Sequence, residues 1–399
     1  MNKTFLHNAL ILGLLSAMGP FAIDMYLPAL PAIGQSLGAD TQQVQLSLMA
    51  FFLAIGLCQL AYGPLSDIHG RKGPLYAGLG LFALGSIGCS LAPDIHTLVV
   101  FRFIEGVGAC AGMVIPRAIV RDLHTGADAT RLTSLLMLVF SVSPILAPLA
   151  GSAVIAASSW RAIFWVVTLL AVLGLGMMAL WMAETRPAAA RVGSTWRSAL
   201  SAYGTLLRDG HFLGLTFIGA FGMSAFFCYL ANSSFVLIQH YGITPTQYSF
   251  FFSINAAAFI GVAQFNGRLC ARYGMAQVVR GAVLCFAALS VLLWLLFALA
   301  GVDSLLVLAV LVFFSFGFLG LVVPVTAVLA LEEHGEIAGT ASALLGTLQM
   351  VTGAVVMAVV AKFVNGGPLP MVSGIAACAL IASAIALVTL RTRAPHPAA

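Results

Sequence analysis

The stretch Gly63-Pro-Leu-Ser-Asp-Ile-His-Gly-Arg-Lys-Gly73 gathers a helix-breaking pair (Gly63, Pro64), a carboxylate (Asp67), a hinge glycine (Gly70) and two cations (Arg71, Lys72). Apolar runs long enough to cross a bilayer flank it on both sides, so it reads as a polar turn at a membrane surface. Outward from it the same alternation continues to both ends of the chain. Of 399 residues, 61% are hydrophobic and 8% are charged. Soluble domains carry about a quarter charged residues, which excludes a soluble globular protein. Continuous apolar runs, rather than short alternating ones, exclude a membrane β-barrel and indicate an all-α polytopic membrane protein.

Twelve apolar segments are expected, near residues 6–33, 43–65, 74–92, 96–120, 131–156, 160–183, 211–239, 245–267, 275–299, 304–330, 337–363 and 369–390. The single long connection, 184–210, divides the chain into six-span halves, 1–183 and 211–399. With the N-terminus inside, the cytoplasmic segments collect fifteen of the eighteen cations, Arg117, Arg391 and Arg393 among them. The outer side keeps only Arg161 and Lys362. This positive-inside bias places both termini in the cytoplasm. The apolar run from Leu6 continues too far for a cleaved signal peptide, so it reads as a retained first span. The seven cysteines fall in or beside apolar segments without paired spacing and read as small packing residues. None of the eight histidines is given a role.

The halves echo one another. Gly63-Pro-Leu-Ser-Asp-Ile-His-Gly70 and Gly267-Arg-Leu-Cys-Ala-Arg-Tyr-Gly274 both follow Gly-x-Leu-x-x-x-x-Gly, each between the second and third span of its half. Two six-span repeats imply alternating access to a site near the midplane.

Charges inside a bilayer cost several kcal/mol each, so each calls for a reason. Three ionisable residues lie deep: Asp24 in the first span, Arg102 and Glu105 in the fourth. At 1.5 Å per residue they sit roughly 15, 9 and 14 Å below the outer surface, close enough for an Arg side chain to bring them together. Two readings follow: a proton switch in which Asp24 loads and releases a proton, or a static Asp24–Arg102 pair joining the two spans. Glu105 would share the proton in the first. Tyr26, Met49, Phe52, Met137, Phe140, Phe226, Tyr229 and Asn232 are candidate pocket residues, of which Tyr26, Phe140, Tyr229 and Asn232 are carried forward. The acidic turn Leu331-Glu332-Glu333-His334-Gly335-Glu336 is the natural partner of Arg71 and Lys72 in a cytoplasmic latch, with Asp67 favouring a helix N-terminus. Pro144, Pro148 and Gly151 mark a bend or a close approach in the fifth span.

These residues carry a resemblance. The turn Gly63–Leu75 resembles the signature loop of the major facilitator superfamily, and Leu98-x-x-x-Arg102-x-x-Glu105-Gly106-x-Gly108 is similar to the pattern of its proton-coupled members. Ser143-Pro144-Ile-Leu-Ala-Pro148-Leu-Ala-Gly151 resembles the antiporter motif of the drug exporters. Asp24-Met-Tyr-Leu-Pro28-Ala-Leu-Pro31 resembles the drug:proton antiporters of bicyclomycin- and chloramphenicol-resistance type. Arg121-Asp122, Trp160-Arg161 and Ala338-Gly-Thr-Ala-Ser342 fit the same type. One departure stands out: Glu105 occupies a position where that pattern has Gln. The resemblance implies a twelve-helix fold and proton-coupled export of small drugs across a bacterial inner membrane by a monomer. It implies neither cofactor nor metal nor nucleic-acid partner. The rival on the same fold is a proton-coupled importer of a sugar or organic acid. An intramembrane enzyme would need a nucleophile–base pair or a metal cluster in the spans, and no such set is present. A channel would run without proton coupling.

Overall fold

The computed structural model describes residues 3–124, 126–191 and 195–390; Arg391 and Arg393, counted above as cytoplasmic cations, lie outside them. The chain forms α1 (Lys3–Asp24), α2 (Leu30–Leu37), α3 (Thr41–His69), α4 (Lys72–Leu91), α5 (Ile95–Leu123), α6 (Gly126–Ala157), α7 (Trp160–Trp181) and α8 (Trp196–Leu206). It continues through α9 (Gly210–Ser234), α10 (Pro245–Ala263), α11 (Asn266–Tyr273), α12 (Met275–Ala298), α13 (Leu305–Glu332), α14 (Ala338–Ala361) and α15 (Leu369–Thr389). Among the described residues, twelve helical segments are long and apolar enough to span a membrane. Helices are the expected solution, because in lipid each backbone N–H and C=O must be satisfied within its own segment. Acids outside the spans cap them: Asp40 forms a reciprocal box with Gln43, and Asp94 Oδ1 accepts from the Thr97 amide at 3.0 Å.

Three local expectations are corrected. Gly63-Pro64 does not break its helix; α3 runs on to His69 with Pro64 inside it, and Ser66 Oγ donates to the Gly63 carbonyl at 3.0 Å. The chain turns instead at Gly70, whose φ of 90° suits only a residue without a Cβ. The first span is not one helix: α1 stops at Asp24, and a 3₁₀ turn, Leu27–Ala29, leads into α2. Pro28 and Pro31 have no N–H to return to the carbonyls four residues back, at Asp24 and Leu27. The second copy of the motif is helical, forming α11. The 184–210 connection contains α8, which buries Leu206 and exposes Trp196 and Leu200.

The described residues group into two compact units, one from Met1–Ser201 with Gly242–Ser253, the other from Ala202–Tyr241 with Ile254–Ala399. In the first, α1 packs on α5, α6 and α7, while α4 packs on α5 and α7. In the second, α9 packs on α13, α14 and α15, while α12 packs on α13 and α15. The same order of contacts thus recurs, and each unit also has a glycine where two helices meet at their backbones. A Cβ added at Gly106 of α5 would lie 2.6 Å from the Phe51 carbonyl oxygen, and one at Gly320 of α13 would collide with the Phe259 carbonyl. Small residues let membrane helices meet backbone to backbone. Gly106→Ala is therefore expected to cost about 1–3 kcal/mol and to lower the melting temperature in detergent. Gly80→Ala, with nothing within 4 Å, leaves it unchanged or slightly higher.

Candidate functional site

The break after Asp24 exposes the last carbonyls of α1 to the neighbouring helix. Arg102, on α5, donates from Nη1 to the Ala22 carbonyl at 3.2 Å and to Glu105 Oε2 at 2.8 Å. Both members of this ion pair are fully buried, three residues apart on one helix face. Three rings surround the guanidinium, with Cζ 4.2 Å from the Phe51 centroid, 4.6 Å from Tyr26 and 5.9 Å from Phe164. Aromatic faces stabilise a desolvated cation. Tyr26 directs its hydroxyl elsewhere, hydrogen-bonding Ser47 Oγ at 2.8 Å, and Cys89 Sγ donates to Glu105 Oε2 at 3.8 Å. A Cβ at Gly85 would stand 2.5 Å from the Glu105 backbone nitrogen, so α4 presses α5 into place at the charged position.

The structure thus brings Arg102 and Glu105 together beside α1, and it gives Arg102 the same-helix carboxylate as its partner rather than Asp24. Asp24 is 5% exposed and, among the described residues, its side chain has no hydrogen bond or ion pair.

The other candidates lie apart from this cluster. Phe140 carries the Arg117 guanidinium over its ring at 5.2 Å. Arg117, counted above as a cytoplasmic cation, thus belongs to α5, six residues short of its end. In the second unit, Asn255 Nδ2 donates to Tyr229 Oη at 2.8 Å, and the Phe316 ring packs edge-on against Tyr229. Asn232 Nδ2 bonds the Cys228 carbonyl of its own helix at 2.8 Å. Asn255 was not among the candidates, and its partnership with Tyr229 depends on how α9 and α10 meet, which no local pattern records. Among the described residues, no group of three His, Cys, Asp or Glu side chains is placed to hold a metal ion.

At the opposite end of the first unit, the Gly63–Gly73 stretch is the hub of a second polar network. Arg71 is nearly buried; its Nε donates to Asp122 Oδ2 at 2.8 Å, Nη1 to Asp67 Oδ1 at 2.7 Å and to Ser66 Oγ at 2.8 Å. Lys72 Nζ donates to the Met182 carbonyl at 2.7 Å. Glu184 crowns the start of α4, accepting from the backbone amides of Arg71 at 2.9 Å and Lys72 at 3.1 Å. Arg186 donates to the Asp67 carbonyl at 3.0 Å. A Cβ at Gly70 would stand 2.6 Å from Glu184 Oε2, a second reason for glycine there. Arg71 and Lys72, expected to reach Glu332, Glu333 or Glu336, here use their donors within their own unit. Asp122 and Glu184 were not among the predicted gate residues, since nothing in their spacing marks them as partners of residue 71. In the second unit the acidic turn has its own tie: His334 Nε2 and Asp209 Oδ2 are 3.0 Å apart, while Asp209 also accepts from the amides of His211 and Phe212.

On α6, Pro144 and Pro148 lie inside the helix, and a Cβ at Gly151 would collide with the Met25 carbonyl just beyond the α1 break. Two carbonyls of this Pro-containing stretch accept from α10: Ser253 Oγ donates to Ile145 O and Ser249 Oγ to Pro148 O, each at 2.8 Å.

The family model for the Major Facilitator Superfamily matches residues 12–358. The chain belongs to that superfamily. It is 36% identical over 89% of its length to an uncharacterised MFS-type transporter, YdgK, of Bacillus subtilis, covering 88% of that protein. It is 31% identical to multidrug resistance protein D of Escherichia coli, over 90% of this chain and 89% of that one. The bicyclomycin resistance protein homologue of Haemophilus influenzae is 29% identical over 93% of both chains. Among solved structures, a D-xylose–proton symporter superposes with a TM-score of 0.75 at 15% identity, covering 98% of each chain, which shows the shared fold. The expected twelve-helix major facilitator fold is the fold found, and the protein is a multi-pass membrane transporter, not an enzyme.

Burial pushes the Glu184 carboxyl up, but the amides of Arg186, Arg71 and Lys72 and the Arg191 charge outweigh it and hold its pKa below the ordinary 4.5. A depressed carboxylate pKa adds stability that is present above the ordinary value and lost as pH falls through the depressed one. Glu184→Gln is expected to cost about 1–2 kcal/mol at neutral pH, since charged acceptors of amide hydrogens are the stronger ones. The gap between the melting temperatures of wild type and variant should close as pH drops below 4.5.

Proposed function

We propose that this transporter exports small apolar or amphiphilic antimicrobial compounds across a bacterial inner membrane in exchange for protons, by alternating access, with both termini cytoplasmic. The carrying observations are the fully buried Arg102–Glu105 pair on α5 and a buried Asp24 whose side chain has no partner among the described residues, at the break in the first span. Buried charges are expensive, and apolar packing would hold these helices together at lower cost. A carboxylate kept from any fixed partner, at a point where the helix is interrupted, is suited to trade a proton for cargo. The resistance names of relatives near 30% identity support drugs as the class of cargo.

In this reading Asp24 carries the proton, while Arg102 and Glu105 set the field it feels. Tyr26, Phe140, Tyr229 and Asn232 stay candidates for cargo contact. Pro144, Pro148 and Gly151 stay candidates for a bend or a close approach in α6, and the Gly63–Lys72 network with Asp122 and Glu184 ties together the parts that must move as one. Glu332, Glu333 and Glu336 stay candidate gate residues.

Drug accumulation in cells expressing wild type or Asp24→Asn, with and without a protonophore, tests this. Wild-type cells should exclude chloramphenicol-like compounds, and either the protonophore or Asp24→Asn should abolish exclusion. Export against a gradient by Asp24→Asn would move the proton site to Glu105. A wild type that excludes none of a broad drug panel would favour metabolite uptake instead.

A further inference from the structure

Among the described residues, α8 is the one α-helix that belongs to no span. Its place is nonetheless fixed at a membrane surface. It stands between the end of α7, the sixth span, and the start of α9, the seventh, and those two ends share one side of the bilayer. Only Leu207, Arg208 and Asp209 separate it from α9, and Asp209 caps that span by accepting from the His211 and Phe212 amides. A short helix held so close to the ends of two spans lies where lipid meets water. Its eleven residues include Ser198, Ser201, Gly204 and Thr205, a length and composition that are marginal for a helix alone in water. Thr195 caps it, its Oγ1 accepting from the Ser198 amide at 3.2 Å. Tertiary packing adds little: among the described residues no other helix packs along α8, and Leu206 is its one buried side chain.

The helix has an ordered surface. Leu207 continues its rise, donating from its amide to the Tyr203 carbonyl at 2.9 Å. Trp196, Leu200, Tyr203 and Leu207 then fall within about 60° of one another around the axis. Leu200 is 65% exposed, Leu207 50% and Trp196 41%. Arg197 and Arg208 both lie on one flank of this stripe, and Ser198, Ser201 and Thr205 lie beyond them, away from it. From Thr185 to Arg208 the chain has no Asp or Glu. Arg186 and Arg191 are engaged elsewhere, with Asp67 at 3.5 Å and Glu184 at 3.9 Å. Arg197 and Arg208 are exposed and form no ion pair among the described residues. An apolar stripe bordered by two uncommitted guanidiniums matches a surface that is oily within and negatively charged at its rim. Guanidinium donors suit phosphate oxygens, and a Trp ring suits the headgroup level. A second copy of the chain would bring the same two cations to the same stripe, and they would repel.

We propose that α8 is a binding site for anionic phospholipids: Trp196, Leu200 and Leu207 enter the acyl boundary, and Arg197 and Arg208 hold the phosphate headgroups beside them. Burial of the stripe in lipid supplies the stabilisation that the protein itself does not give this helix. The two cations select anionic headgroups over zwitterionic ones, because a net negative surface attracts each of them. The inference is independent of the cargo and of the direction of transport.

The test uses the full chain in proteoliposomes of phosphatidylcholine and phosphatidylglycerol at a fixed ratio, with bromine on the acyl chains of one lipid or of the other. The readout is quenching of the Trp196 emission, taken as wild type minus Trp196→Phe. Mole for mole, brominated phosphatidylglycerol should quench that share at least about threefold more than brominated phosphatidylcholine. In Arg197→Gln/Arg208→Gln the preference should vanish while quenching itself persists, a result that loss of the fold would not give. Equal quenching by the two lipids in wild type overturns the anionic assignment, and so does a double variant that keeps the preference. Quenching by neither lipid overturns the inference outright and leaves a second copy or a soluble partner to cover the stripe. Should the double variant fail to fold, salt decides: a wild-type preference that falls as salt rises supports the inference, and one indifferent to salt overturns it.

Discussion

A guanidinium with no exposed surface, within a membrane span, is the constraint around which the first unit is arranged. Isolated in hydrocarbon, Arg102 would cost far more than one side chain's packing returns. Its neighbours supply what water cannot. Glu105 gives the counter-charge, the Ala22 carbonyl at the frayed end of α1 gives an acceptor, and three aromatic faces line the remaining sides. Each contribution comes from a different helix or from a break in one, so the helices must meet within a narrow tolerance. The glycines at 85 and 106 make that meeting possible, because a methyl group at either would hold α4 or α3 away. The charge, the close packing and the helix break are parts of one solution.

The network around Arg71 solves a related problem at the other end of the same unit. There the charges lie outside the spans, and the donors and acceptors are spread over the short turn, the end of α5 and the segment after α7. Glu184 does the most, because its two oxygens satisfy amides at the start of α4 that would otherwise have no acceptor. Around Arg71 the polar groups tie segments to one another. Around Arg102 they leave one carboxylate, Asp24, without a tie. This contrast separates groups that hold the scaffold from a buried carboxylate that the scaffold leaves unpaired among the described residues.

Much of this was legible in the chain. Hydropathy determined the number of spans, because a bilayer demands about 20 apolar residues for each crossing and tolerates few charges within them. The rarity of buried charge picked out Asp24, Arg102 and Glu105 for the same reason. Their pairing was not legible. Helical rise gave their depths to a few ångströms, but depth says nothing of which way each side chain turns, and the i, i+3 partner of Arg102 won over Asp24. Pro64 was misread because a proline near a span's end signals a break, yet Ser66 supports the carbonyl beside it and α3 continues. Pro28 and Pro31, two in close succession, did stop a helix that hydropathy alone drew as continuous.

By itself, then, the sequence determined that this is a twelve-span helical transporter with three costly charges in its first half, since cost in lipid depends on residue type and position along the chain. Only the tertiary structure decided that Arg102 belongs to Glu105, that Asp122 and Glu184 complete the Arg71 network, and that Ser249 and Ser253 answer the carbonyls of α6. Those facts depend on which helix faces meet, and close backbone contact at a few glycines settles them over distances in sequence that no local pattern spans.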